Sequence, residues 1–323
     1  MGGKRSTTRD ENPCLPCFLS PLLTPHFLLS DLFGRGYSST PDPAVYPQNI
    51  QLFTTQILLV LASSPVSWIG PNSFTIVGYS LGGGIAAAFT SQFPNLVDAL
   101  VLLAPSGLVR PSRIHWTSKF IYGGILPSSL IAWLVWRRLG GNSKASRDVG
   151  QRFKKADVAR QVEVAAISEE EPAPHPALSY DSTAILCPSR PSISVADVVA
   201  WQLHNNAGFL PAFISSIQHA PISDQHEDWR RIGSRLKKQR SAAGAGPVSH
   251  GSRIGKVLLI LGKTDDIVLA EEVGEDAKLA LGEDSVDVRV LDGGHDLPIT
   301  NAEMVTRSVL DFWATHSPQT SGN

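Results

Sequence analysis

Cysteine is scarce in this chain, with three in 323 residues, at positions 14, 17 and 187. Three thiols cannot build a disulfide framework, and no Asn-x-Ser/Thr sequon is present, so an intracellular, cytoplasmic home is expected. Cys14-Leu15-Pro16-Cys17 has the spacing of a redox or metal pair, but no second Cys/His pair answers it and prolines surround it. No metal site is expected there. A dominant charge is also lacking: 28 Lys and Arg against 29 Asp and Glu leave a formal net charge of -1. Such a balance creates no field that would recruit nucleic acid or an anionic membrane, which leaves a small molecule as the expected partner.

Long apolar runs are missing too. The stretch Phe120 to Trp136 is strongly apolar and is followed by Arg137-Arg138, yet Gly123-Gly124 and Pro127-Ser128-Ser129 interrupt it. A membrane span needs about 20 apolar residues. The segment reads as two helices laying apolar faces over a site, with weak membrane-surface contact through 120–136 as the second reading. Pro21, Pro25 and His26 break the stretch Phe18 to Leu29 and argue against a secretory signal. Met1-Gly2-Gly3-Lys4-Arg5-Ser6 matches the form of an N-myristoylation signal, with basic residues as a second membrane signal.

What the sequence does contain is organised around Phe74-Thr75-Ile76-Val77-Gly78-Tyr79-Ser80-Leu81-Gly82-Gly83-Gly84 and the small-residue run behind it. This predicts a strand, a tight turn and a helix. A serine at such a turn takes a strained backbone, and glycines two residues before and after it are expected to leave room for strand and helix to close. Ser80 Oγ would stand above the sheet. The helix beginning at Leu81 would aim its unpaired N–H groups at any anion forming beside Ser80, which makes the Leu81 N–H an expected oxyanion donor.

A chain of this length can bury roughly 75% of its unfolded surface, enough for a full core. Phe27 to Asp31 is expected to be a short buried strand, and Leu32 to Pro41, with glycines at 34 and 36, a loop at its C-terminal end. Tyr46 to Ala62 has helical spacing and stops at Ser63-Ser64-Pro65. Ala99 to Pro105 is apolar throughout, as suits a strand buried on both faces of a parallel sheet. From Leu108 to about Gly251 helical pieces alternate with Pro/Gly clusters. Residues 165–195, with three glutamates and then prolines, read as a loop or disordered insertion, Ala196 to Ile217 as helical, and Leu236 to Ser252 as a linker with a solvated basic face. A strand then resumes at Lys256 to Gly262, followed by a helix at Ala270 to Leu281, a strand at Val286 to Leu291 and a helix at Ala302 to Trp313.

A serine hydroxyl needs a base within hydrogen-bond reach, and the base needs a group to hold its tautomer. Ser80, an acid at 265 or 266, and His295 arrive in that order, each at the C-terminal end of a predicted strand, and a parallel sheet places those ends on one edge. Among the nine histidines only His295 sits in a Gly-Gly-His loop directly after a core strand. Asp265, the first acid to leave its strand, is preferred; Asp266 could cap the next segment, or the two roles could be exchanged.

Gly-Tyr-Ser-Leu-Gly at 78–82, Asp-Leu-Phe-Gly-Arg-Gly-Tyr-Ser at 31–38, Gly-Lys-Thr-Asp-Asp-Ile-Val at 262–268 and Gly-Gly-His at 293–295 resemble the α/β-hydrolase fold superfamily. The likeness covers roughly 30–108 and 254–316. It implies an eight-stranded, mostly parallel, doubly wound α/β sheet with an inserted helical cap, a triad of Ser80, His295 and Asp265, and no cofactor. The expected organisation is an atypical N-terminus over 1–26, core over 27–108, cap over 109–250, core over 251–317 and a tail over 318–323.

One departure stands out. Family members usually carry, some 25 to 35 residues before the Asp-x-x-Gly-x-Gly loop, a strand ending in His-Gly whose following N–H completes the oxyanion hole. Only 30 residues precede Asp31, without His-Gly. The first strands are therefore expected to be missing, through a truncated or wrongly assembled gene or through degeneracy. The expected function is hydrolysis of an ester, thioester or lactone, with Trp116, Phe120, Trp133, Trp136 and Trp201 suggesting an apolar substrate. The alternative is a catalytically impaired member that binds a ligand or partner.

Overall fold

The computed structural model describes residues 26–69, 73–112, 127–139, 184–186, 190–242 and 255–316. Cys14, Cys17, Cys187, the N-terminal Gly2 motif, Trp116, Phe120, the 165–183 part of the insertion and the tail lie outside the described residues. The described elements run, in chain order, α1 (Ile50–Ser63), β1 (Phe74–Tyr79), α2 (Leu81–Gln92), β2 (Val97–Leu103), α3 (Ser128–Arg138), α4 (Val195–Asn205), α5 (Phe209–His219), α6 (His226–Ala242), β3 (Val257–Gly262), α7 (Ala270–Leu281), a 3₁₀ turn at Glu283–Ser285, β4 (Val286–Leu291), the single turn α8 (Leu297–Thr300) and α9 (Ala302–His316).

The strands form one sheet in the order β1-β2-β3-β4, every neighbour parallel. β2 and β3 are central and apolar at almost every position because both their faces are covered. Leu100, Leu102, Leu259 and Leu261 face a cluster completed by Ala86 and Ala87 of α2, Trp229, Ile232 and Leu236 of α6, and Val273 and Ala277 of α7. The alternate residues Val101, Leu103, Leu258 and Ile260 face Leu297 and the Val305, Val309 and Phe312 stripe of α9. A side-chain period of two thus divides one strand between two cores. A third cluster, Ile131, Val135 and Leu139 with Phe209, ties α3 to α5.

Several expectations change. Phe27 to Leu29 is neither a strand nor buried: it is irregular chain, and Leu29 is 75% exposed. Apolar composition alone suggested a strand, but among the described residues no neighbouring strand accepts its ladder. The sheet has four strands among the described residues rather than the eight the resemblance implies, and β1 lies at its edge, with Val77 41% exposed. The linker expected from Leu236 begins later, since α6 continues through Ala242. Its basic face is not wholly solvated either: Arg235 donates to the Ser91 carbonyl, and Arg240 to the Gly255 carbonyl and the Ser285 hydroxyl.

Local chemistry sets the helix ends. Asn49 caps α1 by accepting from Leu52 N at 3.0 Å, and Ser194 and Asp197 make a reciprocal capping box at α4. α1 spans about 21 Å at 1.5 Å per residue and β1 about 20 Å at 3.3 Å per residue.

Candidate active site

The Ser80 turn is built from strand β1, helix α2 and the loop after β2. Ser80 has φ 52° and ψ -120°, a conformation that L-residues other than glycine rarely take. Four backbone hydrogen bonds hold it there: Ser80 N donates to Leu103 O at 3.0 Å, and Ser80 O accepts from Gly83 N and Ser106 N, both at 2.9 Å, and from Gly84 N at 3.4 Å. Such over-determination is what a strained residue requires to persist.

The glycine argument holds on one side only. A Cβ at Gly78 would run into the Gly82 carbonyl oxygen and lie 2.7 Å from Gly83 Cα. A Cβ at Gly82 would meet nothing within 4 Å. The close approach behind Ser80 belongs instead to Gly83, whose Cβ would sit 2.5 Å from that of Pro105, and to Gly84, whose Cβ would crowd the Ser106 hydroxyl and lie 2.7 Å from Pro221 O. The pentapeptide pattern points to the wrong downstream glycine because the loop that α2 must clear comes from β2, far away in sequence.

Ser80 Oγ lies 2.9 Å from His295 Nε2, and His295 Nδ1 lies 2.9 Å from Asp265 Oδ2. His295 and Asp265 are both buried. A carboxylate can only accept, so the hydrogen sits on Nδ1, and Nε2 of the neutral ring faces the serine as an acceptor. Asp265 Oδ1 accepts from Ile267 N at 2.9 Å and Val268 N at 2.8 Å, so the carboxylate is fixed through both oxygens. Asp266 is exposed. The capping role considered for Asp266 is therefore performed by Asp265 itself. Packing of the two loops explains the meeting of acid and histidine: Thr264 N donates to Gly293 O at 3.0 Å, and a Cβ at Gly262 would lie 2.5 Å from Gly294 O.

Leu81 is the first residue of α2, where an N–H has no intrahelical acceptor. Two residues the motif reading passed over adjoin this chain of hydrogen bonds. Tyr79 Oη donates to Asp296 Oδ1 at 2.9 Å, and the Tyr79 ring centroid is 5.4 Å from that of His295. Their only sequence signal is adjacency to Ser80 and His295. His204, His219 and His226 lie on the helices between β2 and β3, as expected, and His115, His175 and His250 lie outside the described residues. Among the described residues no group of three or more His, Cys, Asp or Glu side chains converges to hold a metal ion, and no helix is long and apolar enough to cross a membrane.

A parallel sheet with a strand-turn-helix serine and a histidine and aspartate on neighbouring strand ends defines the α/β-hydrolase class. The family comparison agrees: the model of the alpha/beta hydrolase family matches residues 13–307, and the chain belongs to that family. A serine hydrolase-like protein of Homo sapiens is 39% identical over 87 residues, which is 26% of this chain, and this chain spans 40% of that relative's length. A candidate lipase from Acinetobacter baumannii superposes with a TM-score of 0.51 at 16% identity, covering 88% of this chain and 73% of its own. An alpha/beta hydrolase enzyme from a deep-sea metagenome library gives 0.50 at 14% identity over 90% of this chain and 80% of its own. These structural likenesses speak for the fold.

Proposed function

We propose that the chain is a serine hydrolase that cleaves a carboxylic ester, thioester or lactone of an apolar substrate through an acyl-enzyme. The observation that carries this reading is the unbroken series Ser80 Oγ, His295 Nε2, His295 Nδ1, Asp265 Oδ2, with both links at 2.9 Å. Ser80 Oγ attacks the carbonyl carbon as His295 Nε2 takes its proton. Asp265 holds the ring in the tautomer that can accept and stabilises the imidazolium. The oxyanion is received by the Leu81 N–H at the positive end of α2. His295 then gives its proton to the leaving group, and water, deprotonated by the same nitrogen, releases the acid. No cofactor or metal enters these steps. Helices α3, α4 and α5 act as a cap over the site, and Trp133, Trp136 and Trp201 supply apolar surface.

Intact mass after exposure to a fluorophosphonate tests the reading. A single adduct on the wild type that is lost in Ser80→Ala supports an activated nucleophile. Folded protein without an adduct favours the alternative, a hydrolase-fold protein that binds a ligand or partner.

A further inference from the structure

The loop before α1 presents a cation that no carboxylate of a described residue pairs with. Arg35 sits between Gly34 and Gly36, whose φ values of 74° and 52° wrap the chain tightly around it. Two glutamines and an asparagine fix this loop. Gln56 accepts from Phe33 N and donates to Asp31 O, Gln202 of α4 accepts from Gly36 N, and Asn206 donates to Gly36 O. Little freedom remains to Arg35 but to project against α5, and there its Cζ lies 5.5 Å from the Phe209 ring centroid and 5.8 Å from that of Phe213.

Of the five N–H donors on a guanidinium, one is given to Ser216 Oγ at 3.0 Å and one, weakly, to Gly34 O at 3.5 Å. No carboxylate of a described residue pairs with Arg35, whereas Arg110, Arg230, Arg231, Arg289 and Arg307 each have one. Asp31, the nearest acid in sequence, turns its Oδ2 to Tyr37 N at 3.0 Å. Burial lowers the Arg35 pKa to about 10, with no opposing contribution from a carboxylate. A desolvated cation is costly when unpaired, and two aromatic faces compensate only in part. A structural staple between loop and helix could be made by a neutral side chain at lower cost.

Its position suits a ligand. α5, which holds Arg35, runs directly into the segment packed on the Ser80 turn. There Pro221 O accepts from Ser106 Oγ, Ile222 O accepts from Gly107 N, and Gln225 Nε2 donates to Gly84 O. Ser106 N in turn holds Ser80 O.

We propose that Arg35 binds a free carboxylate carried by the substrate, so that the site takes monoesters or monothioesters of apolar diacids. This rests on the hydrolase reading above. The guanidinium fork matches a carboxylate with two parallel N–H donors, and the partly buried Phe213 ring is the apolar surface beside it. The bond broken is still the one attacked by Ser80; Arg35 fixes which ester reaches it.

The test compares the p-nitrophenyl ester of hexanoic acid with the mono-p-nitrophenyl ester of adipic acid, which differ at the distal carbon by a carboxylate. The wild type is expected to prefer the adipate ester in kcat/KM. Arg35→Gln should lose at least tenfold more on adipate than on hexanoate, mainly in KM, and Arg35→Lys should recover part of the difference. No wild-type preference, or equal losses on both esters, overturns the proposal. Calorimetry with free adipate decides it without turnover: adipate bound by the wild type, weakened in Arg35→Lys and lost in Arg35→Gln supports the site, and no adipate bound by the wild type, or hexanoate bound as tightly as adipate, refutes it. Failure to hydrolyse either ester would count against the hydrolase reading alone, with the adipate titration still deciding the site.

Discussion

Tyr79 and Asp296 share a hydrogen bond of 2.9 Å across 217 positions of sequence, and each is the immediate neighbour of a residue in the Ser80–His295 pair. The bond ties the end of β1 to the turn that opens α8, so the strand that presents the serine and the loop that presents the histidine are fixed to each other twice. Tyr79→Phe keeps the ring against His295 and removes only the hydroxyl. We expect a loss of about 1 kcal/mol, the usual contribution of a partly buried hydrogen bond, read as a lower urea midpoint at unchanged slope. Fluorophosphonate labelling should slow several-fold, because the Ser80–His295 distance is then held by one link.

Asp265 and Asp266 are separated by a direct comparison. Asp265→Asn should leave the fold intact and lower kcat on a p-nitrophenyl ester by roughly 1,000- to 10,000-fold, since an amide stabilises neither the right tautomer nor the imidazolium. Asp266→Asn, at an exposed position, should change kcat by less than twofold. Equal losses would show that the acid has been misassigned.

The glycines around Ser80 should respond in opposite directions. Gly78→Ala places a methyl group against the Gly82 carbonyl and should destabilise by about 1–3 kcal/mol, the range for overpacking. Gly82→Ala enters open space near the start of α2 and should stabilise by about 0.5–1 kcal/mol, as alanine loses less entropy in a helix. Thermal melts of the two variants check both signs.

A small pH effect is expected at the last turn of α9. Burial holds the His316 imidazole below its ordinary value of 6.5, Lys256 and Arg289 push it further down, and Asp287 opposes them. The folded state therefore binds a proton less readily than the unfolded chain, so this residue's contribution is fully present above pH 6.5 and is lost as pH falls below that value. His316→Gln should flatten the urea midpoint between pH 7 and pH 5 relative to the wild type. A steeper fall in the variant would contradict the sign.

Helix α3 carries an exposed aromatic edge: Trp133 is 48% exposed with Arg137 Cζ 5.6 Å from its ring, and Leu130 is exposed beside it. If this face touches a membrane surface, the wild type should co-sediment with anionic liposomes, and Trp133→Asp and Trp136→Asp should abolish it. A wild type that stays in the supernatant ends that reading.

Much of this architecture is written in local sequence. Ala99 to Leu103 and Val257 to Leu261 are apolar without alternation because both faces are covered, and that density marks central strands. Ala270 to Leu281 and Val286 to Leu291 are readable to the residue, since period and turn residues agree there. Gly-Tyr-Ser-Leu-Gly and Gly-Gly-His locate the serine and histidine because tight turns limit which residue types can follow a strand. Tertiary structure decided what depends on neighbours remote in sequence. Phe27 to Leu29 is apolar yet unpaired, because a strand needs a ladder partner that composition cannot supply. Asp265 rather than Asp266 faces His295 because the Thr264–Gly293 hydrogen bond sets the register of two loops. Gly83 and Gly84, not Gly82, are the constrained positions because the Pro105-Ser106 loop from β2 passes behind them. Arg35 looks in sequence like one more loop cation, and only the packing of α5 buries it against two aromatic rings with no carboxylate of a described residue paired to it.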